Sequence, residues 1–463
     1  MAVQTIFPVT RIHEPLRADV EVQNGRIVDA WLGAHLFRGM ESMLTGRDPR
    51  DAALFTQRIC GICSGAHAVV AGMAQQQAFG VTPTPTGQHL INLLFAADII
   101  QNHLRHFYIL VLYDYVKGPD MAPYTPRPQA DFRLPLKVNA ELLQHAKEAA
   151  LQAVRAHEAM AVFGAKAPMQ QTIIPTGVTE QASVERLMAY SSILQEVTEW
   201  VEKFFIADVM TIADYYKDYY DIGGGYGNLM SFGMFPAPLT GERALKAGLI
   251  VNRGQVEELD INHITEEVRY SWYTDEEERR RPAAGRTTPD RNKSDGYTWV
   301  KAPRYQELPV EGGPLARGFI NGDYRRGISV LDRLIARAKE TLKICRLAQG
   351  WLNEIVPNTP SFIPFTPPDS GTGVGLTDAM RGALGHWFEY RHNKVTHYQI
   401  VTPTTWNFSP RDNRGIRGPV EQALIGTPVA DGANLIEAGR VIRSFDPCFT
   451  CAVHMLEARS LHC

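Results

Sequence analysis

Two stretches, Arg58-Ile-Cys-Gly-Ile-Cys-Ser-Gly-Ala-His67 and Asp446-Pro-Cys-Phe-Thr-Cys-Ala-Val-His454, each offer a pair of thiols three residues apart. That spacing sets both sulfurs on one side of a turn or helix start, where they can grip a single metal centre. Six cysteines in a chain of 463 residues give roughly 0.06 such pairs by chance, so two pairs mark a site. We expect Cys60, Cys63, Cys448 and Cys451 to converge on one buried metal centre. Cys345, in Thr-Leu-Lys-Ile-Cys-Arg-Leu, falls at an apolar helical position and reads as a packed core thiol. Cys463 ends the chain as a tail thiol.

Four thiolates suit several centres. A structural zinc is the plainest, although paired zinc motifs usually close over a short, polar, turn-rich scaffold, and these lie at opposite ends of a large apolar chain. A four-thiolate iron–sulfur cluster usually draws three ligands from one short run, and a redox dithiol usually sits in a βαβ unit that neither pair has. Soft thiolates also suit nickel and low-spin iron, and bridging thiolates can hold two metals together. A histidine follows each pair closely, His67 and His454, which favours a working site over a purely structural one.

The elements that must position these residues are mainly helical. Apolar residues recur at helical spacing over 86–116, 139–163, 184–219 and 329–353, with a shorter helix over 37–46. Val20-Glu-Val-Gln and Arg26-Ile-Val-Asp-Ala-Trp alternate about Asn24-Gly25 and predict a β-hairpin. Residues 357–375, rich in Pro, Gly, Ser and Thr, read as loop, and 376–463 as a mixture of short elements. Asp221-Ile-Gly-Gly-Gly-Tyr-Gly lacks the ending of a phosphate loop, and Asp275-Glu-Glu-Glu-Arg-Arg-Arg-Pro reads as a solvated charge run. The expected fold is α+β and mostly helical: a central bundle of long helices, a small N-terminal β region and a loop-rich C-terminal part. Because the two halves of the site lie near the two ends, residues 1–463 are expected to form a single domain.

Apolar residues make up 44%, charged residues 21%, and the net charge is −3, so neither nucleic acid nor an anionic membrane is an expected partner. No run is long and apolar enough to span a bilayer, and the N-terminus does not read as a signal peptide.

With their flanks, the thiol segments resemble the two signature segments of the large, catalytic subunit of nickel–iron hydrogenases. Phe37-Arg-Gly-Met-Glu41, Asn102-His-Leu-Arg-His-Phe-Tyr108, Tyr297-Thr-Trp-Val-Lys-Ala-Pro-Arg-Tyr305, Gly312-Gly-Pro-Leu-Ala-Arg317, Arg381-Gly-Ala-Leu-Gly-His-Trp387 and Pro403-Thr-Thr-Trp-Asn407 are similar to that family in order and wording. The His-Phe-Tyr helix looks most like its membrane-associated uptake group. The resemblance implies heterolytic cleavage or formation of H2 at a buried nickel–iron centre. Cys60 and Cys448 would be terminal nickel ligands, and Cys63 and Cys451 would bridge to an iron carrying cyanide and carbon monoxide. Arg381 would lie over the centre, Thr404 would donate to a cyanide, Asp446 would sit beside the same cavity, and His67 would bond a bridging sulfur. Cys448 would take the proton as H2 splits. Glu41, His454 and the carbonyl of Ile400, with Glu266 and Lys301 through water, would hold a magnesium ion.

The chain departs from the family pattern in places. Thr10-Arg-Ile-His-Glu-Pro15 puts His13 where the family's proton-relay Glu falls, with Glu14 beside it, so either side chain is a candidate first proton carrier. Asn102 stands where Asp is common, Met380 where Pro is, and Ala167-Pro-Met-Gln-Gln171 lacks expected histidines. The resemblance further implies an iron–sulfur small subunit in a heterodimer or larger assembly, a membrane cytochrome b reached through it, and a maturation protease that removes 455–463. Localisation would be at the membrane through the partner, periplasmic by co-export, with the cytoplasm as the alternative. A regulatory hydrogen sensor of the same fold and a structural four-cysteine zinc protein are the competing functions.

Overall fold

The computed structural model describes residues 3–122, 125, 130–430 and 435–452. Helix accounts for 43% and strand for 20%, the mixed architecture expected. β1 (Val3–Ile6), β2 (Leu16–Gln23) and β3 (Arg26–Ala34) form an antiparallel sheet in sequence order. Its β2–β3 hairpin closes on Gln23 opposite Arg26, around Asn24 (φ 50°) and Gly25 (φ 70°), the paired left-handed turn that Asn-Gly favours.

The helical body is built from α1 (Ser64–Phe79), α2 (Pro85–Arg105), α3 (Leu136–Gly164), α4 (Val184–Trp200), α5 (Ile206–Tyr215) and α6 (Val330–Glu354). α2 starts at a Thr84 cap with Pro85 in its first turn, and α6 at a Ser329 cap. The run read as one helix over 86–116 changes to a π-helical turn at His106–Val111, and the run over 184–219 does so at Val201–Phe205. The two wide turns face each other: Phe107 lies 5.5 Å from Phe205 and Tyr108 5.3 Å from Trp200, centroid to centroid. Cys345 is buried in α6, its thiol pushed up to about 12 by burial, as a core residue should be.

One expectation is corrected. Residues 370–375 are not loop but the start of β4 (Ser370–Ala379), which pairs antiparallel with β5 (Gly382–Arg391), itself paired with β6 (Lys394–Val401). Glycine marks this strand for a packing reason. A Cβ at Gly371, Gly373 or Gly375 would lie 2.2, 2.0 or 1.9 Å from the carbonyl oxygens of Ala78, Ala74 and Val70, so the strand lies directly on the α1 backbone. Met380 and Arg381 form the tip of the β4–β5 hairpin. The Gly-rich stretch after Asp221 is a loop whose Gly223 carbonyl accepts from Arg333 of α6 (2.8 Å), a structural role. In the charge run Asp275, Glu276 and the three arginines are exposed, Glu278 is half-buried and accepts from the Val268 N–H (2.7 Å), and Glu277 is buried and accepts from the Arg286 N–H. No helix among the described residues is long and apolar enough to cross a membrane.

Candidate metal centre

The first thiol pair sits on the entry to α1. Cys60 is extended, Cys63 immediately precedes the helix, and the Ile62 N–H points at the Cys60 sulfur (3.3 Å). α2 holds this segment from behind: Asp98 Oδ2 accepts from Ala66 N (3.2 Å), and Gln101 Nε2 donates to the Ile62 carbonyl (3.1 Å). The second pair is held by Thr404 and by both sides of the His13 peptide. Cys448 N donates to Thr404 Oγ1 (3.0 Å), Phe449 N donates to the His13 carbonyl (3.0 Å), and His13 N reaches the Pro447 carbonyl (3.4 Å). Arg38 ties the segments together, its guanidinium donating to the carbonyls of Ile59 and Thr450.

All four sulfurs are buried and lie within 4.8 Å of one another. Cys60 is 3.3 Å from Cys448, Cys63 is 3.1 Å from Cys451, and Cys448 is 3.3 Å from Cys451. Contacts with the other thiols, led by Cys448, hold Cys60 well below the ordinary thiol range; those contacts push Cys63 well above it, and burial does the same for Cys451. Four thiols this close cannot all ionise alone, and a cation is what lets them do so.

Arg381, buried at the hairpin tip, places Nη2 3.0 Å from Asp446 Oδ1. Asn102, in the amide orientation that satisfies its neighbours, accepts from Arg381 Nη2 (2.9 Å) and donates to Asp446 Oδ2 (3.2 Å). Arg337 Nη1 also pairs with Asp446 Oδ2 (3.2 Å), and these arginines, against the upward push of burial, hold Asp446 far below the carboxylate range. Arg381 Nε and Nη1 are buried with no acceptor among the described residues, and the charges of Cys448, Cys63 and Cys60 act on the same guanidinium. Two donors without protein acceptors, close to a thiolate cluster, leave the guanidinium able to bond an anionic group at the site. The donor set thus fits a soft metal centre.

Thr404 lies against the Cys448 backbone and retains its hydroxyl proton for a further acceptor. The His67 ring contacts His386 (Nδ1 to Nε2, 3.2 Å), and the Cys60 charge acts on it. Burial, then Arg381, hold the His13 imidazole down to about 4; Asp446 and Cys60 also act on it. Glu14 follows, half-buried and with φ 75°. Away from the thiols, burial pushes Glu41 up to about 7, with Lys301 and Glu266 as its charged neighbours. Lys301 Nζ is 3.8 Å from Glu266, Gln399 donates to Glu266 (2.8 Å), and Ile400 pairs with His386 across β5–β6. His454 and the tail 455–463, Cys463 included, lie outside the described residues.

Sequence reading missed Arg38, Asp98, Gln101, Arg337, His386 and Tyr398. Arg38 and His386 lay inside quoted motifs without a role, and only tertiary contacts bring the other four to the site.

A buried four-sulfur cluster flanked by an Arg–Asp pair marks a protein built to hold a soft metal. The family model described as nickel-dependent hydrogenase matches residues 38–132 and 117–454, and the chain belongs to that family. It is similar to the periplasmic [NiFeSe] hydrogenase large subunit of Desulfomicrobium baculatum, with 36% identity over 98% of this chain and 95% of the relative. To the uptake hydrogenase large subunit of Rhizobium leguminosarum bv. viciae the identity is 29%, over 97% and 95%. The solved Ni-Fe-Se hydrogenase from Desulfovibrio vulgaris Hildenborough superposes with a TM-score of 0.95 at 37% identity, covering 98% of this chain and 100% of that one. The chain is a nickel-dependent hydrogenase large subunit that acts on H2.

Proposed function

We propose that Cys60 and Cys448 bind nickel terminally and that Cys63 and Cys451 bridge it to an iron bearing cyanide and carbon monoxide. The observation that carries this reading is the convergence of four buried sulfurs beside the two unpartnered donors of Arg381. The bound pair supplies the electrophilic site at which H2 splits heterolytically. Arg381 and Thr404 donate to the diatomic ligands and fix their orientation. Asp446 keeps the guanidinium in place. The Cys448 sulfur accepts the proton beside the point of cleavage, which spares a diffusional step. His13, whose backbone bonds to Pro447 and Phe449 on either side of Cys448, or Glu14 beside it, receives that proton next. His67 donates to a bridging sulfur. Glu41, the Ile400 carbonyl and His454 hold magnesium, with Glu266 and Lys301 reaching it through water; the buried, unpartnered Gln399 Oε1 offers a further oxygen.

Electrons must leave, and outside the cluster Cys345 and the terminal Cys463 are too few to ligate an iron–sulfur centre. The reading therefore includes an iron–sulfur small subunit, turnover in the uptake direction, and membrane association through that partner, with a cytochrome b as acceptor. The relative from Desulfomicrobium is named periplasmic, which supports co-export. Gly61, exposed between two buried cysteines, brings the surface close to the cluster and marks the side on which the partner would sit. A maturation protease would remove 455–463. Infrared spectroscopy of the purified protein tests the centre. Cyanide and carbonyl stretches with one nickel and one iron per chain are expected; one zinc and no such bands would defeat the proposal.

A further inference from the structure

A neutral imidazole carries one N–H and one lone pair, and the partner of one nitrogen decides what the other can offer. His67 sits one turn after Cys63, its backbone N–H bonded to the Cys63 carbonyl (3.4 Å), so its ring moves with the thiol segment. Behind it runs a short buried chain. His67 Nδ1 faces His386 Nε2 at 3.2 Å, and His386 Nδ1 faces the Tyr398 hydroxyl at 2.8 Å. The three residues are 1%, 0% and 3% exposed, so water does not choose the direction of these bonds.

The phenol chooses it. Burial pushes Tyr398 far above its ordinary value, so the hydroxyl keeps its proton, and His386 Nδ1 is its one hydrogen-bond partner among the described residues. Left unpaired in a buried place, that O–H would lose its hydrogen bond with no water to replace it. Donation from Tyr398 makes His386 Nδ1 an acceptor, so the His386 proton is on Nε2. That proton points at His67 Nδ1, which must accept, and the His67 proton is then on Nε2. We propose that Tyr398 and His386 are positioning residues that fix the His67 tautomer, presenting its Nε2–H as a donor to the sulfur cluster. This rests on the reading that the four thiolates hold the metal pair. The charge of Cys60 acts on the His67 ring, which places the ring within reach of the cluster's field. The fold agrees with the proposal: His386 and Tyr398 stand on β5 and β6, the sheet whose β4 lies on the α1 backbone beside His67.

Neutron diffraction from crystals of the intact, metal-loaded enzyme exchanged into D2O reads the ring protons directly. Deuterons are expected on Nε2 of both His67 and His386 and on Tyr398 pointing at His386; a deuteron on His67 Nδ1 overturns the proposal. Metal analysis of the same crystals reports separately on the centre, since zinc there would sink the hydrogenase reading and leave the tautomer result standing. In solution, Tyr398→Phe and His386→Leu should shift the midpoint potential and the infrared bands of the loaded centre. His386→Gln, whose amide can accept from Tyr398 and donate to His67, should return both to the wild-type values. Equal shifts for His386→Gln and His386→Leu, or no shift for Tyr398→Phe, would contradict the assignment.

Discussion

Cys60 and Cys63 stand just ahead of a long helix that is buried nearly all round, whereas Cys448 precedes a four-residue helix and Cys451 lies within it. The first pair is therefore placed by one continuous element, backed by Asp98 and Gln101 of α2 and covered by the glycines of β4. The second pair is placed by pieces from the rest of the chain: Thr404, the His13 backbone, and the ion cluster in which Asp114 receives Arg443 (2.6 and 2.7 Å) and Arg11. Arg443 also donates to the Thr10 carbonyl (3.0 Å), so one buried carboxylate ties both residues 10–13, an N-terminal strap, and the helix Ile436–Ser444 that leads into the second segment. The same ligand spacing is thus achieved once by local rigidity and once by long-range closure. The closure side is the one expected to open first.

Four changes test that contrast, from the largest effect to the smallest. Replacing Cys60, Cys63, Cys448 or Cys451 with Ser should bring H2 turnover to background and abolish stoichiometric nickel, whichever segment is touched; metal analysis and an H2-dependent dye assay read both. Asp114→Ala leaves Arg443 buried without its carboxylate and should cost about 3–5 kcal/mol. Limited proteolysis should then show cleavage near the N-terminal strap and the second segment while α1 stays protected. Gly373→Ala attacks the other side: a methyl group 2.0 Å from the Ala74 carbonyl forces β4 off α1. A loss of about 3 kcal/mol is expected, at the upper end for overpacking, seen in chemical denaturation. Thr404→Val removes the acceptor for the Cys448 N–H and should cost about 1 kcal/mol, with Thr404→Ser close to neutral.

Acid sharpens the same comparison. Against the upward push of burial, Arg443 and Arg11 hold Asp114 below its ordinary value. A carboxylate depressed in the folded state contributes stability that is present above its unfolded value of about 4 and is lost as pH falls through the folded value. Hydrogen exchange should therefore show the second segment and the N-terminal strap losing protection in acid before α1 does.

What could be read from the sequence follows the same division. The thiol pairs and the Asn24-Gly25 hairpin were legible because residue type and short spacing carry them, whereas Arg381 was singled out only by the family resemblance. α1 was not: Gly65, Ala66, Ala68, Val69, Val70, Ala71 and Gly72 are buried on every side, so no polar face interrupts the pattern. β4 was misread because Gly371, Gly373 and Gly375 look like loop residues until the α1 backbone is laid against them. The π-helical turns that interrupt the two long runs leave no period of their own in the sequence. Asp98, Arg337 and Tyr398 carry no local signal, since their roles exist only across the folded chain.

The central claim is that sulfurs from the two ends of the chain share a nickel–iron pair. Anomalous diffraction collected across the nickel and iron edges tests it in one experiment. Two peaks of different element within the cage of Cys60, Cys63, Cys448 and Cys451 are predicted. A single peak at the zinc edge, or nickel bound elsewhere, would contradict it.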